Sequence, residues 1–150
     1  MNLSEHLTLE EVTKSPTAIR LGISNIPIDE HLENLKRIAI FVFEKIRNKF
    51  NVPIQVLSGY RGPELNTAVG GSKNSDHMKG MALDLRGTNN VSNKQIFDYI
   101  KDYLEYTQLI WEFGDDSNPE WVHVSYNRDN LKNEILKAIK INGKTKYIKL

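Results

Sequence analysis

Residues 75 to 85, Ser-Asp-His-Met-Lys-Gly-Met-Ala-Leu-Asp-Leu, hold a histidine, a glycine and an aspartate in close order. A strand period of two along this stretch puts Met81, Leu83 and Leu85 on one face and Gly80, Ala82 and Asp84 on the other. An aspartate in an otherwise apolar strand needs a positive partner to offset its desolvation. An arginine, Arg61 or Arg86, is one candidate partner and a metal ion is the other. Gly80 lets the chain fold back, which would bring His77 toward Asp84. Further along, residues 121 to 126 read Trp-Val-His-Val-Ser-Tyr, so His123 shares a face with Trp121 and Ser125 and points away from the valines. His77, Asp84 and His123 then form a set of two imidazoles and one carboxylate. Three protein ligands with an open fourth position mark a catalytic zinc site as opposed to a closed structural one. With one negative charge against the ion's two, such a site would acidify bound water and polarise a carbonyl. The plainer alternative for His123 is a hydrogen-bonded core histidine.

A hydrolytic site also needs a base. Glu120 lies three residues before His123, where a loop enters the strand, and is the preferred candidate for general base. Glu112 is the rival, because it interrupts an apolar strand and should face something polar. Arg61, in Leu-Ser-Gly-Tyr-Arg-Gly-Pro, sits in a loop between glycines. Its guanidinium fork suits a substrate carboxylate or a developing oxyanion, and a surface ion pair is the alternative.

The elements that must position these groups are legible from periodicity and caps. Thr8 and Glu11 form a capping-box pattern for a short helix over residues 8 to 14. Leu32, Leu35, Ile38, Ala39, Val42, Ile46 and Phe50 recur at threes and fours, predicting a helix over 29 to 50 with Asp29 as N-cap. Residues 54 to 58 predict a buried strand, Pro63 a short helix over 64 to 69 stopped by Gly70-Gly71, and residues 80 to 85 a second strand. Ser92 and Gln95 cap a helix to about residue 103. Residues 109 to 113 and 121 to 126 predict two more strands. The tail alternates through Ile135, Ile139 and Ile141, turns at Asn142-Gly143 and returns through Tyr147 and Ile148, a hairpin signal. The fold class expected is α+β, a central, mainly antiparallel sheet with helices on one side.

Composition bounds the reading. A chain of 150 residues, 39% hydrophobic and 26% charged, fits one soluble globular domain over residues 1 to 150, with the hairpin at about 134 to 150 part of it. A net charge of +1 provides no global field for nucleic acid. With no cysteine, metal ligands must come from His, Asp and Glu. The first residues lack a basic start followed by an apolar run, so no secretory signal is expected. The longest apolar run, 38 to 43, is too short to span a bilayer. Cytoplasmic synthesis and a monomer are the expectations. From Arg128 onward seven lysines and arginines face two acids, Asp129 and Glu134. A solvated edge guarded by lysines is preferred there over attraction to an anionic cell wall.

Taken together, Ser58-Gly59-Tyr60-Arg61, then Ser75-x-His77-x-x-Gly80-x-Ala82-x-Asp84, then Glu120-Trp121-x-His123 resemble the zinc D-Ala-D-Ala carboxypeptidase family, within the lysostaphin, D-Ala-D-Ala peptidase and hedgehog superfamily. Residues 7 to 23 resemble the start of small phage and prophage members. The resemblance implies one zinc ion on His77, Asp84 and His123, with Glu120 as the base that activates a zinc-bound water. It implies Arg61 as a substrate-positioning and transition-state group, and Ser75 as support for the ligand loop or the substrate. It further implies a D,D-carboxypeptidase or endopeptidase acting on peptidoglycan stem peptides that contain D-amino acids, released to the wall in a phage or prophage lysis setting. Hedgehog-type members keep fold and metal as binding modules, so a zinc-containing wall-binding or virion structural module without turnover is the alternative. The D,D, L,D and L-Ala–D-Glu bonds, and endo or exo cleavage, all stay open. The short segment between Asp84 and Glu120 leaves little chain for a cleft wall.

Overall fold

The alternation that separates Leu83 and Leu85 from Asp84, and Val122 and Val124 from His123, is resolved by one sheet with two unlike faces. The computed structural model describes residues 1–150 and contains six strands in the order β1-β2-β4-β3-β5-β6. These are β1 (Gln55–Ser58), β2 (Ala82–Arg86), β3 (Gln108–Glu112), β4 (Trp121–Ser125), β5 (Glu134–Ile141) and β6 (Lys144–Lys149). Every pairing is antiparallel except β3 with β5, which is parallel.

Helices cover one face. α1 (Leu9–Thr13) and α2 (Pro16–Leu21) lead into α3 (Asp29–Ile38), which continues through a π-helical turn (Ala39–Phe43) into α4 (Glu44–Phe50). α5 (Pro63–Ala68), a 3-10 turn (Asp76–Lys79) and α6 (Asn93–Tyr103) follow. Leu35, Ile38, Val42 and Ile46 from the long helix and Ile96 and Ile100 from α6 meet Leu83, Leu85, Leu109, Val122 and Val124 in one buried cluster. Capping boxes at Thr8–Glu11 and Ser92–Gln95 set the starts of α1 and α6, as their spacing predicts.

Some boundaries differ from expectation, each for a local reason. Asp29 is not the N-cap: Ile28 takes the extended cap conformation, and Asp29 and Glu30 occupy the first turn, where negative charge complements the helix dipole. The first strand is half-exposed, because β1 is an edge paired only to β2, with a register shift between Val56 and Ser58. The second strand begins at Ala82, because Gly80 is spent capping the 3-10 turn. That turn and α2 belong to segments with no strong periodic signal.

The N-terminal segment is clasped to the long helix by Glu44, which accepts from the Ser4 hydroxyl and the His6 backbone N–H, each at 2.6 Å, and bonds His6 Nδ1 at 2.8 Å. These bonds hold the Glu44 carboxyl below its ordinary pKa against the opposing effect of burial.

Gly80 is left-handed (φ 71), and a Cβ there would sit 2.5 Å from the His31 carbonyl oxygen. Gly143 is equally left-handed (φ 76) but has nothing within 4 Å. Gly143→Ala should therefore show the backbone strain alone, about 1–2 kcal/mol. Gly80→Ala should cost more, with Tm falling further than the roughly 2–8 °C expected for Gly143→Ala. Thermal melts of the two variants test this; equal shifts would mean that the His31 contact constrains nothing.

Candidate metal centre and cleft

The register builds the centre. Asp84 on β2 lies directly opposite His123 on β4, and Ser58 on β1 lies opposite Asp84 on its other side. His123 Nδ1 is 3.0 Å from Asp84 Oδ1. The third group arrives from outside the sheet. After the 3-10 turn, Gly80 reverses the chain and leaves His77 Nε2 3.3 Å from Asp84 Oδ2. The ligand atoms of His77, Asp84 and His123 all lie within 4.8 Å of one another.

The chemistry of the donors fits a cation. His77 is 3% exposed, and its Nδ1 lies 2.7 Å from the Gly59 carbonyl oxygen. A carbonyl only accepts, so Nδ1 carries the proton and the Nε2 of a neutral ring turns a lone pair toward Asp84. A lone pair facing a carboxylate needs a positive charge between them, supplied by a metal ion or a second proton. The carbonyl also orients the ring, as partners of metal-bound histidines do. Burial would raise the pKa of the Asp84 carboxyl, but the charge and hydrogen bonds of His77 and His123 hold it well below the usual range. The partners of Asp84 are thus two imidazoles, and no arginine pairs with it.

Arg61 follows β1 and is tied to the ligand turn twice. Its backbone N–H donates to the His77 carbonyl (3.0 Å), and its Nη2 lies 3.5 Å from Ser75 Oγ. Nε donates to Asn66 Oδ1 at 3.2 Å and Nη1 to Ser58 Oγ at 3.3 Å. All these side-chain partners are neutral, so the guanidinium enters the cleft without a carboxylate. Burial lowers its pKa while Asp84 raises it. Ser75 caps the 3-10 turn by accepting from the His77 N–H at 3.2 Å, which makes it a support for both His77 and Arg61.

The two glutamates exchange places. Glu120 is exposed, outside the cleft lining, and in phase with Val122 and Val124, away from the His123 face. Its backbone N–H bonds the Glu112 carbonyl (2.9 Å), and its own carbonyl accepts from Asn93 on α6 (3.0 Å), which holds this residue on the helix side. The preference for Glu120 as the group beside the metal ligands is therefore corrected: three residues is an odd spacing, and on a strand odd spacing changes face. Glu112 pairs with Trp121 across β3 and β4, shares the face of His123 and is 7% exposed. Burial pushes its carboxyl up to about 7, with His123 opposing and Asp84 adding to the shift. The available signal was an acid interrupting an apolar strand; that its face-mate Ile110 pairs with His123 is visible only in the structure.

These groups line an open cleft of about 700 Å³. Arg61 and the loop Val69–Ser72 form one side; Phe113, Leu136, Lys140, Thr145 and Tyr147 form the other. The second wall comes mainly from β5 and β6, a contribution that sequence reasoning missed because the hairpin reads as an ordinary solvated edge.

With that geometry described, comparison with known proteins adds a family. The family model described as Peptidase M15 matches residues 5–125, a span that contains every residue of the His-Asp-His group, Arg61 and Glu112. No curated protein matches the chain. Peptidases of this family depend on zinc, and the buried imidazole–carboxylate–imidazole group could hold a metal. From the length of that match, the chain belongs to the Peptidase M15 family.

Proposed function

We propose that the chain is a zinc peptidase of peptidoglycan stem peptides in which His77, Asp84 and His123 hold one zinc ion and Glu112 is the general base. The observation that carries this reading is the convergence of three donor atoms, within 4.8 Å of one another, on the same sheet face as a buried carboxylate and an unpaired guanidinium. A zinc ion at this centre would supply a Lewis acid that polarises the scissile carbonyl and lowers the pKa of water.

The chain's own residues do the rest. Glu112, made more basic by burial, takes a proton from the attacking water as its oxygen bonds to the carbonyl carbon. The same carboxyl returns that proton to the departing nitrogen as the carbon–nitrogen bond breaks, leaving a carboxylate and an amine. Arg61, held by Asn66, Ser58 and Ser75, is pre-aimed to donate to the oxygen that gains charge. Ser75 keeps the Arg61 loop and the His77 turn in fixed relation. A peptidoglycan substrate is supported by membership of the family and by the cleft's polar lining. No helix is long and apolar enough to cross a membrane.

The test is direct. Glu112→Gln should lower kcat on isolated stem peptides by at least about 10²-fold while zinc content stays near that of the parent protein. Glu120→Gln should cut at close to the parental rate. Loss of turnover in the second variant but not the first would reject Glu112 as base. Zinc-loaded protein that binds cell walls but releases no muropeptides would replace the enzyme by a binding module.

Metal removal gives a second measure. His77→Ala and Asp84→Ala should each abolish stoichiometric zinc by elemental analysis. Chelation should lower the Tm of the parent protein and leave these two variants unmoved, because an ion that binds only the folded state adds about 2.7 kcal/mol at a hundredfold excess over Kd.

A further inference from the structure

The C-terminal hairpin lies beyond the residues matched by the family and yet forms one wall of the cleft. Its register explains how. Ala138 on β5 pairs with Glu112 on β3 and with Tyr147 on β6, so Trp121, Glu112, Ala138 and Tyr147 form one row on the site face. Ala138 is fully buried within this row, while Glu112 and Tyr147 on either side of it both line the cleft. Partial burial of the hydroxyl against the cleft raises the pKa of Tyr147, and Glu112 and Asp84 raise it further. Tyr147 lines the same cleft as the centre and offers it a protonated hydrogen-bond donor.

Lys140 completes this wall. It is two residues beyond Ala138 on the same face, paired with Thr145, and it lines the cleft. Its ammonium rests 5.7 Å from the centroid of the Phe113 ring, a cation–π contact that holds it at the cleft edge. Lys137, on the opposite face of the same strand, bonds Asp116 at 2.7 Å, whereas Lys140 has no carboxylate partner. Only two of the cleft-lining residues are cationic at neutral pH with histidine neutral, Arg61 and Lys140. They stand on opposite walls, Arg61 beside β1 and Lys140 on β5, with Asp84, His123 and Glu112 on strands between them.

We infer that Lys140 and Tyr147 form a carboxylate-binding subsite on the hairpin wall, across the metal centre from Arg61, that selects peptides carrying an anionic group on that side of the scissile bond. Lys140 supplies the charge and Tyr147 the directed O–H donor. The inference rests on the peptidase reading for the identity of the cleft. In a stem peptide the carboxylate has two sources, the α-carboxylate of a γ-linked D-Glu and the C-terminus.

Three synthetic stem pentapeptides separate those sources: one with both carboxylates free, one amidated at D-Glu and one amidated at the C-terminus. Their affinities are measured by calorimetry on zinc-loaded Glu112→Gln protein, so that binding is read apart from turnover. One of the two amidations should weaken binding by roughly threefold to tenfold, and that one names the source. Adding Lys140→Met should abolish this difference, Lys140→Glu should invert it, and Tyr147→Phe should reduce it. Both positions are exposed, so the variants should fold, and circular dichroism checks that they do. Equal affinities for all three peptides, a difference that survives Lys140→Met, or no binding of any peptide would each overturn the subsite. Cutting of the free peptide by parental protein is scored separately: its absence would sink the peptidase reading, while its presence with an unchanged preference in Lys140→Met would sink the subsite alone.

Discussion

Everything at the centre depends on the pairing of Asp84 with His123 across β2 and β4. The pair is set by what lies behind it. Leu83, Leu85, Val122 and Val124 are fully buried against the helices, and these residues alternate with the aspartate and histidine. A slip of one residue in either strand would turn its valines or leucines to the cleft and drive its polar ligand into the core. The cost of exposing those side chains, about 1.5–3 kcal/mol for each fully buried one, protects a geometry that the ligands alone could not enforce. Two polar groups in one site are thus held in register by the apolar groups on the reverse of the sheet.

The remaining member of the group, His77, is held by a different device. His77 is on a short 3-10 turn with little stability of its own, and it is secured by backbone contacts with the neighbouring loop. Gly59 accepts from its ring, and the Arg61 N–H donates to its carbonyl. That loop is in turn backed by α1, where the Val12 carbonyl accepts from the Tyr60 N–H at 2.7 Å. Gly59 has no room for a side chain, since a Cβ would lie 2.6 Å from the Val12 oxygen. The N-terminal segment thereby acts on the centre from a distance, through the orientation of one imidazole. A site of this kind owes its geometry as much to its support as to its ligands.

The cleft is built half from residues within the family match and half from residues beyond it. Its centre and the Arg61 side fall within the family match, whereas β5 and β6 follow it. The parallel pairing of β5 with β3 is what brings the hairpin to the site, because it continues the sheet past Glu112 and places Ala138 next to it. The lysine-rich tail thus divides by strand parity. Lys137 is neutralised by Asp116, while Lys140 faces the cleft.

The sequence by itself determined the helical and strand periods, both capping boxes and the hairpin turn, since each rests on residue type and spacing within a few positions, and it singled out His77, Asp84 and His123, which the structure brings together. It also carried the family, through motifs that stay contiguous in the chain. Glu112 and the hairpin wall were decided by tertiary structure. Glu120 has the closer spacing to His123, yet strand parity and the Asn93 bonds keep it on the helix side, while Glu112 reaches the site from another strand. Short spacing reports which groups are near along the chain. Which groups share a cleft depends on strand order, and that is set by the packing of faces and by long-range pairings such as β3 with β5, which leave no local mark in the sequence.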